Sequence, residues 1–227
     1  MSGVITQLLD IAVPRFCLHC NSLLPPNEEF LCNICLNFDL RLDPGILELF
    51  CEEKFHHEII SGLVSLASFS HESPLRTIVH SLKYHNNLHA GKFLGRVLAE
   101  HFMEVFSDLA LDFIIPVPLH RLRLINRGYN QSEEISKGMS KVLGVPMNAK
   151  DLKRIRYTET QVSTGSRFER GHNIIGAFKL QNPLKFTGKK LLLVDDVITT
   201  GSTVREAAKA LKEAAPANIF VASILTA

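Results

Sequence analysis

The sequence predicts an α/β fold in which helices flank a mostly parallel sheet, with a small cysteine-rich module in front of it. Short apolar runs typical of buried strands alternate with longer stretches in which apolar residues recur every three or four positions. Four of the five cysteines lie between residues 17 and 35, in two CxxC pairs. We therefore expect the module to span residues 1–45, ending near the turn signal Asp43-Pro44-Gly45, and the α/β domain to span residues 46–227.

In chain order, the α/β domain opens with a strand over residues 63–69 and a helix over residues 74–84. The longest helix is expected over residues 88–106, because its apolar residues form one stripe: Phe93, Leu94, Val97, Leu98, Phe102 and Val105. A strand over 112–118 ends in a loop stiffened by prolines, and a helix over 131–143 follows. A weaker strand over 145–151, a polar stretch over 155–172, a strand over 190–194, a helix over 202–214 and a strand over 218–225 complete the domain.

The composition suits a soluble globular protein and excludes a disordered one, since 46% of the 227 residues are hydrophobic and 21% are charged. The formal net charge is only +2, so any affinity for nucleic acid has to come from local clusters of basic residues. The first residues show neither a basic signal-peptide start nor an apolar run near the roughly 18 residues of a membrane span. We expect a cytoplasmic protein without a membrane span, in a reducing compartment where clustered cysteines bind metal.

The segment from Leu191 to Thr203 carries the strongest functional signal. An apolar strand leads into Asp195 and Asp196, and a hydroxyl-rich loop then opens a helix; the loop consists of Val197, Ile198, Thr199, Thr200, Gly201, Ser202 and Thr203. Adjacent carboxylates accept hydrogen bonds from vicinal sugar hydroxyls or hold Mg²⁺. Amides and hydroxyls at a helix N-terminus bind phosphate, and glycine lets the backbone approach closely. The pattern predicts a site for a sugar phosphate with Mg²⁺.

Two other interpretations of this segment are weaker. A plain strand-to-helix turn also favours a Ser or Thr N-cap and nearby acids, but it does not require a pattern over thirteen positions. The acidic strand of a nucleoside triphosphatase needs a GxxxxGK[ST] loop elsewhere in the chain, and Gly188-Lys189 is not preceded by one. We therefore keep the sugar-phosphate interpretation.

The cysteine pattern predicts a structural zinc site. Cys17, Cys20, Cys32 and Cys35 form two CxxC pairs whose tight turns can converge on one tetrahedral Zn²⁺. Four thiolates leave no open position for a substrate, and a module this small needs the metal for stability. Free buried thiols do not explain both pairs. His19 is an alternative ligand, whereas Cys51 and His56-His57 are expected outside the site.

Basic residues cluster between His120 and Gln131, interleaved with Tyr129, and again over residues 153–157. Such a mixture can bind the backbone of single-stranded nucleic acid and stack a base. It can equally bind the phosphates of one small ligand or form an ordinary solvated surface. The sequence leaves these three alternatives open.

The Asp-Asp-Val-Ile-Thr-Thr-Gly-Ser-Thr motif resembles the binding loop of type I phosphoribosyltransferases. Further motifs resemble the ComF family, which includes ComFC and GntX-like proteins, and they occur in the same order. They are Leu82-Lys83-Tyr84, Ile115-Pro116-Val117-Pro118-Leu119-His120-Arg121, Arg127-Gly128-Tyr129-Asn130-Gln131, residues 158–161, Arg170-Gly171-His172-Asn173 and Gly176-Ala177-Phe178. With the cysteine module, the resemblance covers nearly the whole chain.

This resemblance implies a type I phosphoribosyltransferase fold that binds 5-phosphoribosyl-1-pyrophosphate (PRPP) or a nucleotide made from it. It implies that Asp195 and Asp196 organise the ribose as the catalytic pair, with Mg²⁺. The loop containing Val117 and Pro118 approaches the pyrophosphate, with Arg121 or Lys83 as its cationic partner. The polar stretch over 154–170 resembles the mobile loop that closes over the substrate, although a solvated surface loop explains it equally well.

Two functions follow from the motifs. The ComF resemblance implies a PRPP-binding protein of competence and DNA uptake, with single-stranded DNA and a helicase-like competence protein as partners. The site chemistry alternatively fits an active nucleobase phosphoribosyltransferase of nucleotide salvage. No acceptor-base signature or catalytic base is readable, so the sequence does not decide whether the chain is an enzyme.

Overall fold

The computed structural model describes residues 14–40, 44–55, 59–84, 87–157 and 174–227. Its strands are β1 (Gly62–Ser68), β2 (Phe113–Pro116), β3 (Leu152–Arg154), β4 (Phe178–Leu180), β5 (Lys190–Ile198) and β6 (Asn218–Thr226). Its helices are α1 (Asn33–Asp39), α2 (Pro44–Phe55), α3 (Pro74–Tyr84), α4 (Leu88–His101), α5 (Met103–Leu109), α6 (Arg121–Arg127), α7 (Gln131–Leu143) and α8 (Ser202–Lys212), and a 3₁₀ helix covers Pro183–Phe186. Within these ranges, no helix is both long and apolar enough to cross a membrane.

The main sheet is parallel throughout, with the strand order β1-β6-β5-β2. Side chains alternate between the two faces of a strand. Leu192 and Val194 of β5 therefore join one apolar cluster with α3, α4 and α7, while Leu191 and Leu193 join a second cluster with α8. A parallel strand covered on both faces is apolar at nearly every position. This arrangement confirms the predicted α/β fold.

The limits of the predicted elements over 63–69, 74–84, 112–118, 131–143, 202–214 and 218–225 are close to those observed. The strand predicted over 190–194 is longer than expected and continues to Ile198. Its last residues still pair with β6, in the register Asp195 to Ser223 and Val197 to Leu225. Asp195 and Asp196 thus lie within a strand, not after it.

The single helix predicted over 88–106 is wrong, because α4 ends at His101 and α5 begins at Met103. Phe102, between them, has φ −108° and ψ 28°, outside helical geometry. The break changes which face of the following turn is buried. Val105, predicted in the buried stripe, is 43% exposed, and Phe106 is buried in its place.

The strand predicted over 145–151 is also wrong. Met147 forms only an isolated bridge to Ile114. The Ile114 amide donates to the Pro146 carbonyl at 3.0 Å, and the Asn148 amide donates to the Ile114 carbonyl at 2.8 Å. Pro146 has no N–H to donate, which limits further pairing there. Instead, the short antiparallel pair β3–β4, absent from our prediction, forms a second sheet.

The cysteine-rich segment packs on the α/β domain through apolar side chains. Leu24 and Leu31 belong to the same apolar cluster as residues of α3 and α4. The rings of Phe30 and Phe93 meet edge to face at 5.2 Å, and Arg96 of α4 forms an ion pair with Glu29 at 2.5 Å. The predicted division into residues 1–45 and 46–227 remains a prediction.

Helices α4 and α7 cross closely because glycine lies at their contact. A Cβ atom added to Gly95 would lie 1.9 Å from the Ile135 carbonyl oxygen, and one added to Gly138 would lie 2.2 Å from the Lys92 carbonyl oxygen. Backbone atoms cannot move aside as a flexible side chain can. Only glycine therefore fits at these two positions.

We expect Gly95→Ala to lower the free energy of unfolding by roughly 2 kcal/mol, because the added methyl group must push the two helices apart. Denaturant unfolding followed by circular dichroism measures the change. Gly62→Ala is the matched control, since its Cβ would lie at an ordinary 3.5 Å from the Phe220 ring. Equal stabilities of the two variants would contradict the close crossing.

Candidate functional site

The candidate site lies at the carboxyl ends of β2 and β5, which are neighbours in the sheet. Ligands of parallel α/β sheets bind beyond this edge. The Val117 amide donates to the Val194 carbonyl at 2.8 Å, so the loop after β2 lies beside the end of β5. The proline-containing loop after β2 and the acidic motif at the end of β5, which are distant in the sequence, therefore lie side by side.

Asp196 is held by a cation of α3. Its Oδ2 atom lies 2.9 Å from Lys83 Nζ, and the two side chains are only 12% and 23% exposed. The backbone carbonyl of Leu82, the residue before Lys83, accepts a hydrogen bond from the Tyr129 hydroxyl. This bond and ion pair fix the end of α3 against the site. Lys83 is thus adjacent to the acidic pair and contacts a protein carboxylate, whereas its role as a cationic partner of the pyrophosphate remains a prediction.

Asp195 is held from the other side by α7. Its Oδ1 atom accepts hydrogen bonds from the Ser132 hydroxyl and from the Asp196 amide, both at 2.9 Å. Burial, and then the negative charge of Asp196, raise the pKa of the Asp195 carboxyl to about 7, against an ordinary value of 3.8. Ionisation of Asp195 therefore costs free energy in the ligand-free protein, and a bound cation or hydrogen-bond donor would reduce that cost.

This raised pKa predicts that Asp195→Asn stabilises the ligand-free protein at alkaline pH. The folded state binds a proton more tightly than the unfolded state, so ionisation of Asp195 lowers the free energy of unfolding as pH rises from about 4 to about 7. Asparagine keeps the Oδ1 acceptor without the charge. We expect the variant to be more stable by on the order of 2 kcal/mol at pH 8 and to match the wild type near pH 4. Denaturant unfolding at both values tests this, and a variant less stable at pH 8 would contradict it.

The loop after β5 forms a small pocket of about 50 Å³ at the start of α8. Eight of the nine motif residues line it, all except Asp196, and one residue outside the motif, Val204, joins them. The lining residues are Asp195, Val197, Ile198, Thr199, Thr200, Gly201, Ser202, Thr203 and Val204. The Thr200 and Ser202 hydroxyls lie 2.9 Å apart. The predicted loop residues therefore line one cavity, with Val204 added to them.

Gly201 is the N-cap of α8, so no side chain of the N-cap residue occupies the first amides of the helix. The hydroxyl of Thr200, the residue before the N-cap, lies 3.5 Å from the Ser202 amide. Gly201 has φ +70°, and a Cβ atom there would lie 2.8 Å from the ring of Phe55 in α2. The Cβ of Lys54 would be 3.5 Å from the same point. That α2 borders this loop could not be predicted from local sequence, because the two segments are far apart in the chain.

The other predicted site residues are not among those that line the pocket. Asp196 and Lys83 form their own ion pair. Val117 is buried, Pro118 is half-buried, and Arg121 is exposed in the first turn of α6. Of the predicted mobile loop over 154–170, residues 158–170 lie outside the described residues, as do the motif residues 158–161 and 170–173.

The Arg127–Gln131 motif has a structural role that the basic interpretation missed. Tyr129 is only 8% exposed, so it cannot stack a base as suggested from its basic neighbours. Asn130 caps α7 by accepting from the Ser132 amide at 3.2 Å, and its Nδ2 donates to the Val117 carbonyl at 3.0 Å. The motif thus connects α7, α3 and the loop after β2. Ser132, which contacts Asp195, was not predicted, since its partner is distant in the chain.

The four predicted cysteines meet in one cluster. The Sγ atoms of Cys17, Cys20, Cys32 and Cys35 all lie within 4.8 Å of one another, and those of Cys20 and Cys32 are 3.7 Å apart. Tetrahedral Zn–S bonds of about 2.3 Å place sulfur atoms about 3.8 Å apart, so the cluster fits such an ion. Without metal, the Ser22 hydroxyl and amide lower the pKa of Cys20 to about 6, whereas burial and the neighbouring thiols raise the pKa of Cys35, so a bound cation is needed to hold all four as thiolates.

The sequence predicts His19 as an alternative ligand to the four clustered cysteines, and Cys51 and His56-His57 outside the site. His19 Nδ1 lies 3.4 Å from the Thr77 hydroxyl of α3, away from the four sulfur atoms that form the cluster. Cys51 is buried with Phe55 in the second apolar cluster. His56 and His57 lie outside the described residues.

Comparison with known proteins places this geometry in context. The family model "Phosphoribosyl transferase domain" matches residues 126–227, which include α7, β5, the pocket loop and α8. The DNA utilization protein YhgH of Salmonella typhi is 33% identical over 162 residues, covering 70% of this chain and 69% of that protein. YhgH of Escherichia coli O157:H7 is 29% identical over 225 residues, covering 93% and 96%. Competence protein F of Haemophilus influenzae is 35% identical over 144 residues, covering 62% of each chain.

Proposed function

This chain belongs to the ComF family, with the DNA utilization protein YhgH and competence protein F among its relatives, and we propose that it binds PRPP or a derived nucleotide in the service of DNA uptake. The names of the relatives support a role in competence and DNA use. The phosphoribosyl transferase domain supports the nature of the ligand. Nucleotide salvage, the alternative from the sequence, is not favoured.

The observation that carries the proposal is the pocket at the N-terminus of α8. Its amides have no capping side chain from the N-cap residue, and the hydroxyls of Thr199, Thr200, Ser202 and Thr203 surround it. A 5′-phosphate binds at such a helix start because the amides and the helix dipole both favour an anion. Asp195 at the rim of the same pocket would then accept hydrogen bonds from the ribose hydroxyls.

The acidic pair also fits Mg²⁺. In the described part of the chain, both hydrogen bonds to the Asp195 carboxylate use Oδ1, which leaves Oδ2 for the ion or for a ribose hydroxyl. Mg²⁺ typically reaches a protein through one or two carboxylates and the phosphates of its substrate. Asp195 and Asp196 would organise the ribose and the ion, and the bound ion would supply the positive charge that a departing pyrophosphate needs.

Pyrophosphate would extend from the pocket toward the loop after β2. Val117 and Pro118 would be the backbone contacts of the pyrophosphate, and Arg121 and Lys83 would be its cationic partners. Lys83 already faces the acidic pair, and Arg121 is exposed beside the same edge of the sheet. Residues 154–170 would close over the bound ligand.

The cysteine cluster is proposed as a structural Zn²⁺ site. Four thiolates at tetrahedral spacing leave no open coordination position, so the ion would stabilise the segment and take no part in transfer chemistry. As further partners we propose single-stranded DNA and a helicase-like competence protein, in the cytoplasm. Membership of a family with competence proteins supports this setting.

A genetic experiment tests the role in DNA uptake. Deleting the gene in a naturally transformable host is expected to abolish transformation, and to leave growth on purines unchanged if the protein takes no part in salvage. Complementation with the wild-type gene should restore transformation, whereas the Asp195→Ala, Asp196→Ala double variant should not. Full transformation in the deletion strain would overturn the role, and a purine growth defect alone would favour salvage.

A biochemical experiment decides between binding and catalysis. Purified protein with Mg²⁺ and PRPP is incubated with a panel of nucleobases, and pyrophosphate release is measured. Release with one base assigns a transferase activity. No release with any base, in a protein that binds PRPP, assigns a binding role.

A further inference from the structure

Two basic stretches that are far apart in the sequence meet at Tyr157. The rings of His120 and Tyr157 have centroids 5.1 Å apart, and the Arg123 guanidinium lies 6.0 Å from the centroid of the Tyr157 ring. Arg154, at the end of β3, stacks on Phe178 at 5.5 Å. We call the group His120, Arg123, Arg154 and Tyr157 the arginine–tyrosine surface.

This surface adjoins the candidate pocket. Burial lowers the pKa of Arg154, repulsion from Arg123 lowers it further, and attraction from Asp195 partly opposes both. The backbone links the same segment to the helix at the pocket: the Ile155 amide donates to the Ala177 carbonyl at 2.8 Å, and the Gly176 amide donates to Glu206 Oε2 of α8 at 3.1 Å. Like charges that repel each other favour an anionic ligand.

The two segments that form the arginine–tyrosine surface are much more basic than the chain as a whole. Residues 120–127 and 153–157 contain no carboxylate, although the formal net charge of the whole chain is only +2. Their cations are Arg121, Arg123, Arg127, Lys153, Arg154 and Arg156. They lie on helix α6, on β3 and just after it; Lys153 and Arg154 are neighbours in a strand, so their side chains lie on opposite faces.

Exposed rings and aliphatic side chains lie among these cations. Tyr157 is 43% exposed, and helix α6 has no buried residue. Its Leu122, Leu124 and Ile125 are 50%, 41% and 66% exposed. An accessible aromatic ring beside a row of arginines is the combination that binds unpaired bases together with their phosphates. In a duplex the bases are already stacked, so this surface suits a single strand.

We propose that the arginine–tyrosine surface binds single-stranded DNA, with a base stacked on Tyr157 and phosphates bound by Arg123 and its basic neighbours. This inference rests on the proposed role in DNA uptake and names the residues that would bind the DNA. The bound strand would run past the mouth of the Asp195 pocket.

Fluorescence anisotropy with labelled oligothymidine, measured over a range of salt concentrations, tests the proposal. Tyr157→Ala is expected to weaken binding roughly 5- to 100-fold with little change in the salt slope, because stacking carries no net charge. Arg123→Ala is expected to reduce the magnitude of the slope of log affinity against log salt by about 0.7, the contribution of one phosphate contact to a single strand. Tyr157→Phe should bind like the wild type.

Two exposed residues elsewhere provide matched controls. Phe38→Ala removes an aromatic ring that is 60% exposed on α1, and Lys212→Ala removes an exposed cation at the opposite end of α8 from the pocket. Both should bind oligothymidine like the wild type. Thermal unfolding of every variant checks that loss of binding is not loss of folding.

The proposal is overturned if the wild type does not bind oligothymidine, if it prefers a duplex, or if Tyr157→Ala and Arg123→Ala both bind like the wild type. Its failure is distinguishable from failure of the pocket. The Asp195→Ala, Asp196→Ala double variant should lose PRPP and retain oligothymidine. A wild type that binds oligothymidine as described but not PRPP would refute the pocket alone, and the reverse result would refute the surface alone.

Discussion

Replacing Asp195 and Asp196 together by alanine is expected to weaken the binding of PRPP with Mg²⁺ at least about 100-fold. Two charged acceptors that each contribute roughly 1.5–3 kcal/mol account for a loss of that size. The fold should survive for two reasons. Ionised Asp195 destabilises the ligand-free protein, so its removal costs little. Lys83, which loses its partner Asp196, keeps 23% of its side chain exposed to water. Calorimetric titration of the variant, with thermal unfolding alongside, measures both quantities.

Asp108→Ala is the matched control for this double variant. Asp108 is an exposed carboxylate on α5, which precedes the amino end of β2, whereas the pocket lies at the carboxyl ends of the strands. The control should bind PRPP like the wild type. Wild-type affinity in the double variant would refute the assignment of the acidic pair.

Cys32→Ser is expected to release the bound zinc and to destabilise the N-terminal segment by on the order of 5 kcal/mol or more. Structural zinc sites contribute most of the folding free energy of modules this small. The loss should spread into the α/β domain, because Leu24 and Leu31 pack in the same cluster as α3 and α4. Elemental analysis of the purified protein measures zinc, and chelator-dependent thermal unfolding measures the stability.

Cys51→Ala separates a ligand from an ordinary buried cysteine. Cys51 lies in the second apolar cluster and not among the four clustered sulfur atoms, so this variant should keep one equivalent of zinc. A wild type purified without zinc, or a Cys32→Ser variant that keeps a full equivalent, would contradict the metal assignment.

The local parts of the fold were predictable from the sequence. Helices α3 and α7 have the predicted limits because their apolar spacing and their flanking residues agree, and the start of α8 follows from Gly201. The convergence of four cysteines was predictable from their spacing, since two tight turns bring the pairs together. The break at Phe102 was not, because the apolar stripe continues through it without a proline or glycine.

The long-range contacts of the site could not be read from the sequence. Lys83 was predicted near the ligand, but its partner Asp196 is known only from the packing of α3 on the end of β5. Tyr129 and Tyr157 both follow basic residues in the chain, yet the fold buries the first and exposes the second. Exposure, which separates a structural tyrosine from a binding one, depends on the tertiary structure and not on local sequence.

Calorimetric titration of the wild-type chain with PRPP and Mg²⁺ tests the central claim most directly. We expect saturable binding at one site per chain, weakened when Mg²⁺ is withheld and lost in the Asp195→Ala, Asp196→Ala variant. Absence of binding by a folded, zinc-loaded wild type would contradict it, because the pocket at the start of α8 would then not be a site for a sugar phosphate.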